Sequence, residues 1–196
     1  MILASRNDHK VRELGEILTG VNLRALPEEV ELPPETGTTF DQNALIKARA
    51  AREATGETVV ADDSGLEVDA LDGRPGVYSA RYAGEEATDG ENLTRVLADL
   101  ADASADRPGV PFTARYVCVI ALIDDSGEHL FRGTCEGEMT LDPKGEGGFG
   151  YDPAFIPEAT GPDDRRTMAE LPAEEKNRIS HRGAAAGMLA NHLGLG

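Results

Sequence analysis

A run of β-branched residues that meets two adjacent aspartates constrains this chain more than any other stretch: Thr58-Val59-Val60-Ala61-Asp62-Asp63-Ser64-Gly65-Leu66. Its apolar half reads as a buried strand. The strand is expected to stop at Asp62-Asp63, because Asp-Ser-Gly is turn chemistry, and Leu66 to Asp69 then reads as a partner strand. Ionised carboxylates at the tip of an apolar strand are costly to desolvate unless a metal ion, a basic side chain or water meets them. Taken alone, the stretch is compatible with a site and with an ordinary turn. Other polar stretches decide between them.

Charge bounds what the acidic pair can face. Asp+Glu 36 against Lys+Arg 19 leave a formal net charge of −17, which argues against DNA, RNA or an anionic membrane as partner. A small anionic substrate is still compatible where positive charge is concentrated. Only four of the 19 basic residues are lysine: Lys10, Lys47, Lys144 and Lys176. A compact ammonium suits phosphate oxygens, so Lys10, Lys47 and Lys176 are expected to converge on one cleft. With 196 residues, 40% of them hydrophobic, the chain can build one large domain or two small lobes. No leader-like apolar segment and no bilayer-length apolar run is seen, so a cytoplasmic location without membrane partners is expected. Cys118 and Cys135 fit no metal or redox spacing. They read as buried thiols that a tight hairpin would bring face to face without a disulfide.

Along the chain, Met1 to Ala4 reads as a short strand, and Ser5-Arg6-Asn7-Asp8 caps a helix carrying Val11, Leu14, Ile17 and Leu18. A strand, a polar turn and a helix N-terminus offer backbone N–H groups to an anion. Lys10 in that first turn opposes the helix dipole, which points to a negative ligand. After a Pro/Glu-rich connector, Glu35 precedes a helix that Thr39 and Gln42 open as a capping box. Asn43 and Lys47, four apart, share one face of it. Gly73 to Tyr82 reads as a loop, and Thr88 with Glu91 caps a further helix. Ala101 to Pro111 reads as a surface connection and candidate hinge. Phe112 to Ile123 and His129 to Met139 form a hairpin about Asp124-Asp125-Ser126-Gly127.

Pro143 to Pro153 concentrates glycine around Phe149, Gly150, Tyr151 and Asp152. Its backbone is expected to come close to a ligand, with Phe149 as a stacking face. Thr167 and Glu170 form another capping box, and Ser180-His181-Arg182 precedes a last helix with Met188, Leu189 and Leu193. His181 and Arg182 there are candidates for reading a base or a phosphate.

Six motifs now stand in order: Ser5-x-Asn7-x-x-Lys10-x-x-Glu13; Glu35-Thr36-Gly37-x-Thr39-Phe40-x-x-Asn43-Ala44-x-x-Lys47-Ala48; Ala61-Asp62-Asp63-Ser64-Gly65-Leu66; Tyr78-Ser79-Ala80-Arg81-Tyr82; Gly148-Phe149-Gly150-Tyr151-Asp152-Pro153; and Glu175-Lys176-Asn177-x-Ile179-Ser180-His181-Arg182. Together they resemble the inosine triphosphate pyrophosphatase family, whose members hydrolyse deaminated purine nucleoside triphosphates. His9 stands where many relatives carry glycine.

The resemblance implies an α/β fold: an elongated mixed β-sheet flanked by helices, one domain over residues 1–196 with two lobes and a central cleft, usually a homodimer. It implies Mg²⁺, with Mn²⁺ as a substitute, and a hydrolase that converts ITP, dITP or XTP to the monophosphate plus pyrophosphate. Glu35 and Asp63 are the implied metal ligands, Asp62 is a candidate third, and Asp63 is also the implied proton acceptor. A free aspartate is a feeble base at neutral pH, so the metal must acidify the water. The triphosphate would be held by Lys10, Lys47, Lys176, the Ser64 hydroxyl, Asn43 and the Ser5-Arg6-Asn7-Asp8-His9-Lys10 loop. Donors from His181, Arg182 or the backbone near Asp152 would accept a 6-oxo purine and be left unpaired against adenine. Guanine would be rejected by crowding or by an unmatched polar group at its 2-amino edge. Two alternatives are a pyrophosphatase for another modified nucleotide and a nucleotide sensor without turnover.

Overall fold

The computed structural model describes residues 1–18, 20–105 and 110–195, apart from the side chains of Asp8 and His9. Among them, six strands form one mixed sheet: β1 (Ile2–Leu3), β2 (Arg24–Ala25), β3 (Val59–Val68), β4 (Phe112–Asp124), β5 (Gly127–Met139) and β6 (Phe155–Pro157). Their spatial order is β2-β1-β3-β4-β5-β6. β1 runs parallel to both β2 and β3, with Ile2 opposite Arg24 and Val59, while β6 is antiparallel to β5. The helices are α1 (Asp8–Ile17), α2 (Phe40–Thr55), α3 (Asp89–Ala105), α4 (Ala173–Ile179) and α5 (His181–His192).

Chain contacts divide the fold into two compact units. One comprises Met1–Ser64, Cys118–Gly133 and His181–Gly196; the other comprises Gly65–Val117 and Thr134–Ser180. The first is built on an apolar cluster of Leu3, Leu14, Leu18, Val60, Cys118, Ile120, Leu122, Ala185, Ala186 and Leu189, where α1 packs against α5. The second is built on Leu66, Val96, Leu100, Tyr116, Cys135, Phe155 and Met168, among others. The cysteines are free and buried in separate clusters, so the expected face-to-face pair does not form.

Local chemistry explains the helices. The Asn7 side chain accepts from the Lys10 N–H and starts α1, and the Thr39 hydroxyl accepts from the Gln42 N–H and starts α2. Phe40, Asn43, Ala44, Lys47, Ala48 and Ala51 form the buried stripe of α2 at spacings of three and four. That stripe turns two polar side chains inward. Gly56, at φ +68°, closes the helix in the left-handed conformation that glycine tolerates. Thr88 and Glu91 make the reciprocal bonds of a capping box before α3.

Several sequence expectations are corrected. β3 does not stop at Asp62-Asp63; it continues through Ser64-Gly65 to Val68, so Leu66 to Val68 is not a separate strand. Pairing on the ladder outweighs the turn preference of Asp-Ser-Gly, because a central strand satisfies every backbone donor and acceptor along its length. Gly76–Arg81 is a short 3-10 helix rather than an open loop. Ala101–Ala105 is the last turn of α3, consistent with its alanine content, and not a hinge. The rest of that expected connection includes 106–109, outside the described residues.

Candidate active site

In the first unit, α1, α2 and α5 bring basic side chains to the acidic pair of β3. Lys10 Nζ lies 3.1 Å from Asp62 Oδ2, and an Arg182 nitrogen lies 3.6 Å from the same oxygen. Arg182 also pairs with Glu13 and donates to the Ser64 hydroxyl at 3.0 Å. Lys47 Nζ is 2.5 Å from Glu35 Oε1 and 3.8 Å from Asp63 Oδ1. Successive strand side chains point to opposite faces. Asp62 accordingly meets the α1/α5 side, like Val60 two residues before it, and Asp63 meets α2.

The two carboxylates titrate differently. Burial would raise the Asp62 pKa, but Lys10, Arg182 and Lys47 outweigh it and hold the group at about 2. Burial dominates at Asp63 and raises its pKa despite Lys47 and Lys10. Lys47 is itself buried, which would lower its pKa, yet Asp62, Asp63 and Glu35 hold it above the usual lysine value. The result is a neutralised cluster in which one aspartate stays ionised and its neighbour is inclined to take a proton.

The donor chemistry beside Lys47 also suits a cation. Asp63 Oδ1 accepts the Ser64 N–H at 2.9 Å, and its Oδ2, like both Asp62 oxygens and Asn43 Nδ2, is buried without a hydrogen bond of normal geometry. Such an atom is costly unless a ligand satisfies it. The Lys47 ammonium already lies between Glu35 and Asp63, so a positive charge suits that gap. A carboxylate pair is the donor set a hard divalent ion prefers. Residues and ion fit.

The loop before α1 uses part of its own hydrogen-bonding capacity internally. The Ser5 N–H bonds Leu3 O, the Asn7 N–H bonds the Ser5 hydroxyl, and the Lys10 N–H bonds Asn7 Oδ1. Arg6 turns to the connector instead, donating to the carbonyls of Leu26, Pro27 and Val30 at 3.0, 2.7 and 2.9 Å. Asp8 and His9 were also expected in this loop, and their side chains lie outside the described residues. Asn43 accepts the Gly37 N–H at 2.8 Å and shapes the segment carrying Glu35. A Cβ at Gly37 would come within 2.6 Å of that same Asn43 oxygen.

In the second unit, Asp152 is the organiser. Its buried carboxylate accepts from the Tyr116 hydroxyl at 3.1 Å, the Phe149 N–H at 2.9 Å and the Lys176 ammonium at 2.9 Å. Lys176 Nζ thereby sits 5.2 Å from the centre of the Phe149 ring. Tyr151 donates to the Ser79 carbonyl at 2.7 Å and is buried, and the Gly150 N–H bonds Asp89 at 3.0 Å. Three of the glycines are held close by the protein's own packing: Gly145 and Gly147 press on Ala169, and a Cβ at Gly148 would meet Asp152 Oδ2 at 2.0 Å, whereas a Cβ at Gly150 would meet nothing within 4 Å. Lys10 and Lys47 thus share the first unit's acidic cluster, while Lys176 belongs to the second unit's aspartate. His181 is buried at the first position of α5.

Sequence reasoning assigned no role to Glu13, Tyr116 or Ser79. Glu13 and Ser79 stood inside quoted motifs, whereas Tyr116 lay in a strand-like run outside them and gave no signal.

A mixed sheet whose inner strand carries paired carboxylates, met by lysine and arginine from three helices, defines an α/β protein with a buried cluster of opposite charges at the heart of its first unit. Residues 1–192 match the model of the Ham1 family, and the chain belongs to that family. A dITP/XTP pyrophosphatase of Halalkalibacterium halodurans is 50% identical over 186 residues, covering 92% of each chain. One from Geobacter sulfurreducens is 46% identical, covering 99% of this chain and 96% of its own. Among solved structures, a HAM1 protein from Coxiella burnetii superposes with a TM-score of 0.87 at 42% identity, covering 100% and 98% of the two chains. A nucleoside-triphosphatase / dITP/XTP pyrophosphatase from Mycobacterium abscessus gives 0.74 at 44% identity, covering 96% and 97%. Among the described residues no helix is long and apolar enough to cross a membrane.

Proposed function

We propose that this chain hydrolyses deaminated purine nucleoside triphosphates, ITP, dITP and XTP, to the monophosphate and pyrophosphate. The observation that carries this reading is the buried, unpartnered Asp63 oxygen beside Lys47 and Glu35, in a chain half identical to a dITP/XTP pyrophosphatase. Glu35 and Asp63 would hold Mg²⁺, or Mn²⁺ in its place. Asp62, on the opposite face and engaged by Lys10 and Arg182, is better suited to orienting those cations than to ligating the ion. When bound, the ion supplies charge neutralisation on the phosphates and acidifies a water.

The chain's own groups supply the rest. Asp63 takes the proton of the attacking water on its carboxylate. Lys10 and Lys47 neutralise phosphate oxygens. In the second unit, Phe149 offers its ring to the purine, while Asp152 fixes Lys176 as a cationic donor beside that ring. A donor there suits the O6 and N7 acceptors of hypoxanthine or xanthine and opposes the amino group of adenine.

The test is a panel of ITP, dITP, XTP, GTP, ATP and pyrimidine triphosphates with Mg²⁺. Preference for the three deaminated purines over ATP by at least about a hundredfold in kcat/KM is expected, with pyrophosphate as product. A different preferred nucleotide, or binding without product, would overturn the reading in favour of the corresponding alternative.

A further inference from the structure

Away from the acidic pair, three potential metal ligands meet on the surface of the first unit. Asp124 ends β4, His129 is near the start of β5, and His192 is the last residue of α5. One ligand atom from each lies within 4.8 Å of the others. The two imidazole rings are 4.5 Å apart, and Phe131 backs His192 at 5.3 Å. Asp124 and His129 are half-buried while His192 is exposed, so an ion can enter from solvent.

The turn already orders the carboxylate. Asp124 Oδ1 accepts from the Ser126 N–H, the Ser126 hydroxyl and the Gly127 N–H at 2.7, 2.6 and 3.2 Å, and His129 Nε2 lies 3.7 Å from it. These bonds fall on one oxygen, which leaves Oδ2 for a further ligand. The same bonds lower the Asp124 pKa, so it is ionised near neutral pH. His192 closes its helix, where the backbone dipole favours a cation.

We propose that Asp124, His129 and His192 form a second, non-catalytic site for a divalent transition metal ion, with Zn²⁺ as the best-fitting case. Two imidazoles and one carboxylate are the donor set of Zn²⁺ and its borderline neighbours, whereas Mg²⁺ and Ca²⁺ prefer oxygen alone. Tetrahedral bonding at ~2.0–2.1 Å requires ligand atoms roughly 3.4 Å apart. Closing the cluster therefore takes about an ångström of adjustment by solvent-accessible side chains, and water completes the sphere. His129 exchanges its 2.9 Å contact with the Ser126 hydroxyl for the metal. The ion ties the β4–β5 turn to the end of α5, the helix that carries His181 and Arg182.

Zn²⁺ is titrated calorimetrically into the full chain held in excess Mg²⁺, for wild type, His129→Gln, His192→Gln and the double variant. One Zn²⁺ per chain is expected for wild type, with each single variant weakened at least about tenfold and the double variant silent. Zn²⁺ should raise the thermal midpoint of wild type alone. Imidazole NMR signals of wild-type His129 and His192 should shift with the added ion, a readout that does not depend on how the variants fold. Absence of uptake by wild type, unchanged uptake in the double variant or unmoved His129 and His192 signals would each overturn the proposal.

Discussion

At the scale of single residues, the contrast between Asp62 and Asp63 shows how one peptide bond can separate two electrostatic environments. Asp62 receives Lys10 and Arg182 on one face of β3 and stays ionised; Asp63 receives Lys47 on the other and is dominated by burial. A pKa raised in the folded state means the folded chain binds that proton more readily than the unfolded chain. The stabilisation it gives is present below the ordinary aspartate range and is lost as pH rises through the raised value. At neutral pH the ionised Asp63 is therefore held at a cost that a divalent ion relieves. Asp63→Asn removes the charge and the base together. Turnover is expected to fall by about 10²–10⁴-fold. Without divalent ions, the variant should melt above wild type at neutral pH, and the gap should shrink on acidification. Steady-state kinetics and melting curves at several pH values check both halves. A variant less stable than wild type at neutral pH would show that the ion pair with Lys47 outweighs burial.

At the scale of elements, α5 depends on a glycine of the strand beneath it. A Cβ at Gly133 in β5 would stand 2.2 Å from the His181 carbonyl oxygen and 2.5 Å from the Ala185 nitrogen. Both obstacles are helix backbone, which cannot step aside as a flexible side chain can. Gly133→Ala should push the start of α5 outward and cost about 1–3 kcal/mol, measured by denaturant unfolding, with a parallel loss of activity because Arg182 leaves Asp62 and Glu13. The sequence carried no sign of this close approach, since Gly133 sits in an otherwise alternating strand. What it did carry were the elements with side-chain signatures: the Asn7, Thr39 and Thr88 caps, the helical spacing of Asn43 and Lys47, and the β4–β5 hairpin. It missed β2 and β6, which span Arg24–Ala25 and Phe155–Pro157 and are too short to show a period. It also ended β3 early, because local turn preference says nothing about neighbours on either side. At the candidate site, the residue types were legible and their partners were not. That Asp152 would also hold Tyr116 and Lys176 depends on chain segments far apart in sequence.

At the scale of the whole molecule, the chain allots different chemistry to its two compact units. The first holds the carboxylates with Lys10, Lys47 and Arg182; the second holds the aromatic ring with Lys176 and Asp152. If the first deals with phosphates and the second with the base, substitutions in each should leave different kinetic signatures. Lys47→Met removes charge that every nucleoside triphosphate needs, so kcat/KM for ITP and for ATP should fall by similar factors, leaving their ratio unchanged. Phe149→Ala removes a stacking face worth roughly 1–3 kcal/mol per base, which should appear mainly in KM. Lys176→Met removes the donor suited to a 6-oxo group, so its loss should be larger for ITP than for ATP and should narrow the preference. Measuring kcat and KM of the three variants on both nucleotides separates the roles. A Lys47→Met variant that changes the ITP-to-ATP ratio, or a Lys176→Met variant that leaves it intact, would show that recognition of the base does not reside where the second unit's aspartate places its lysine.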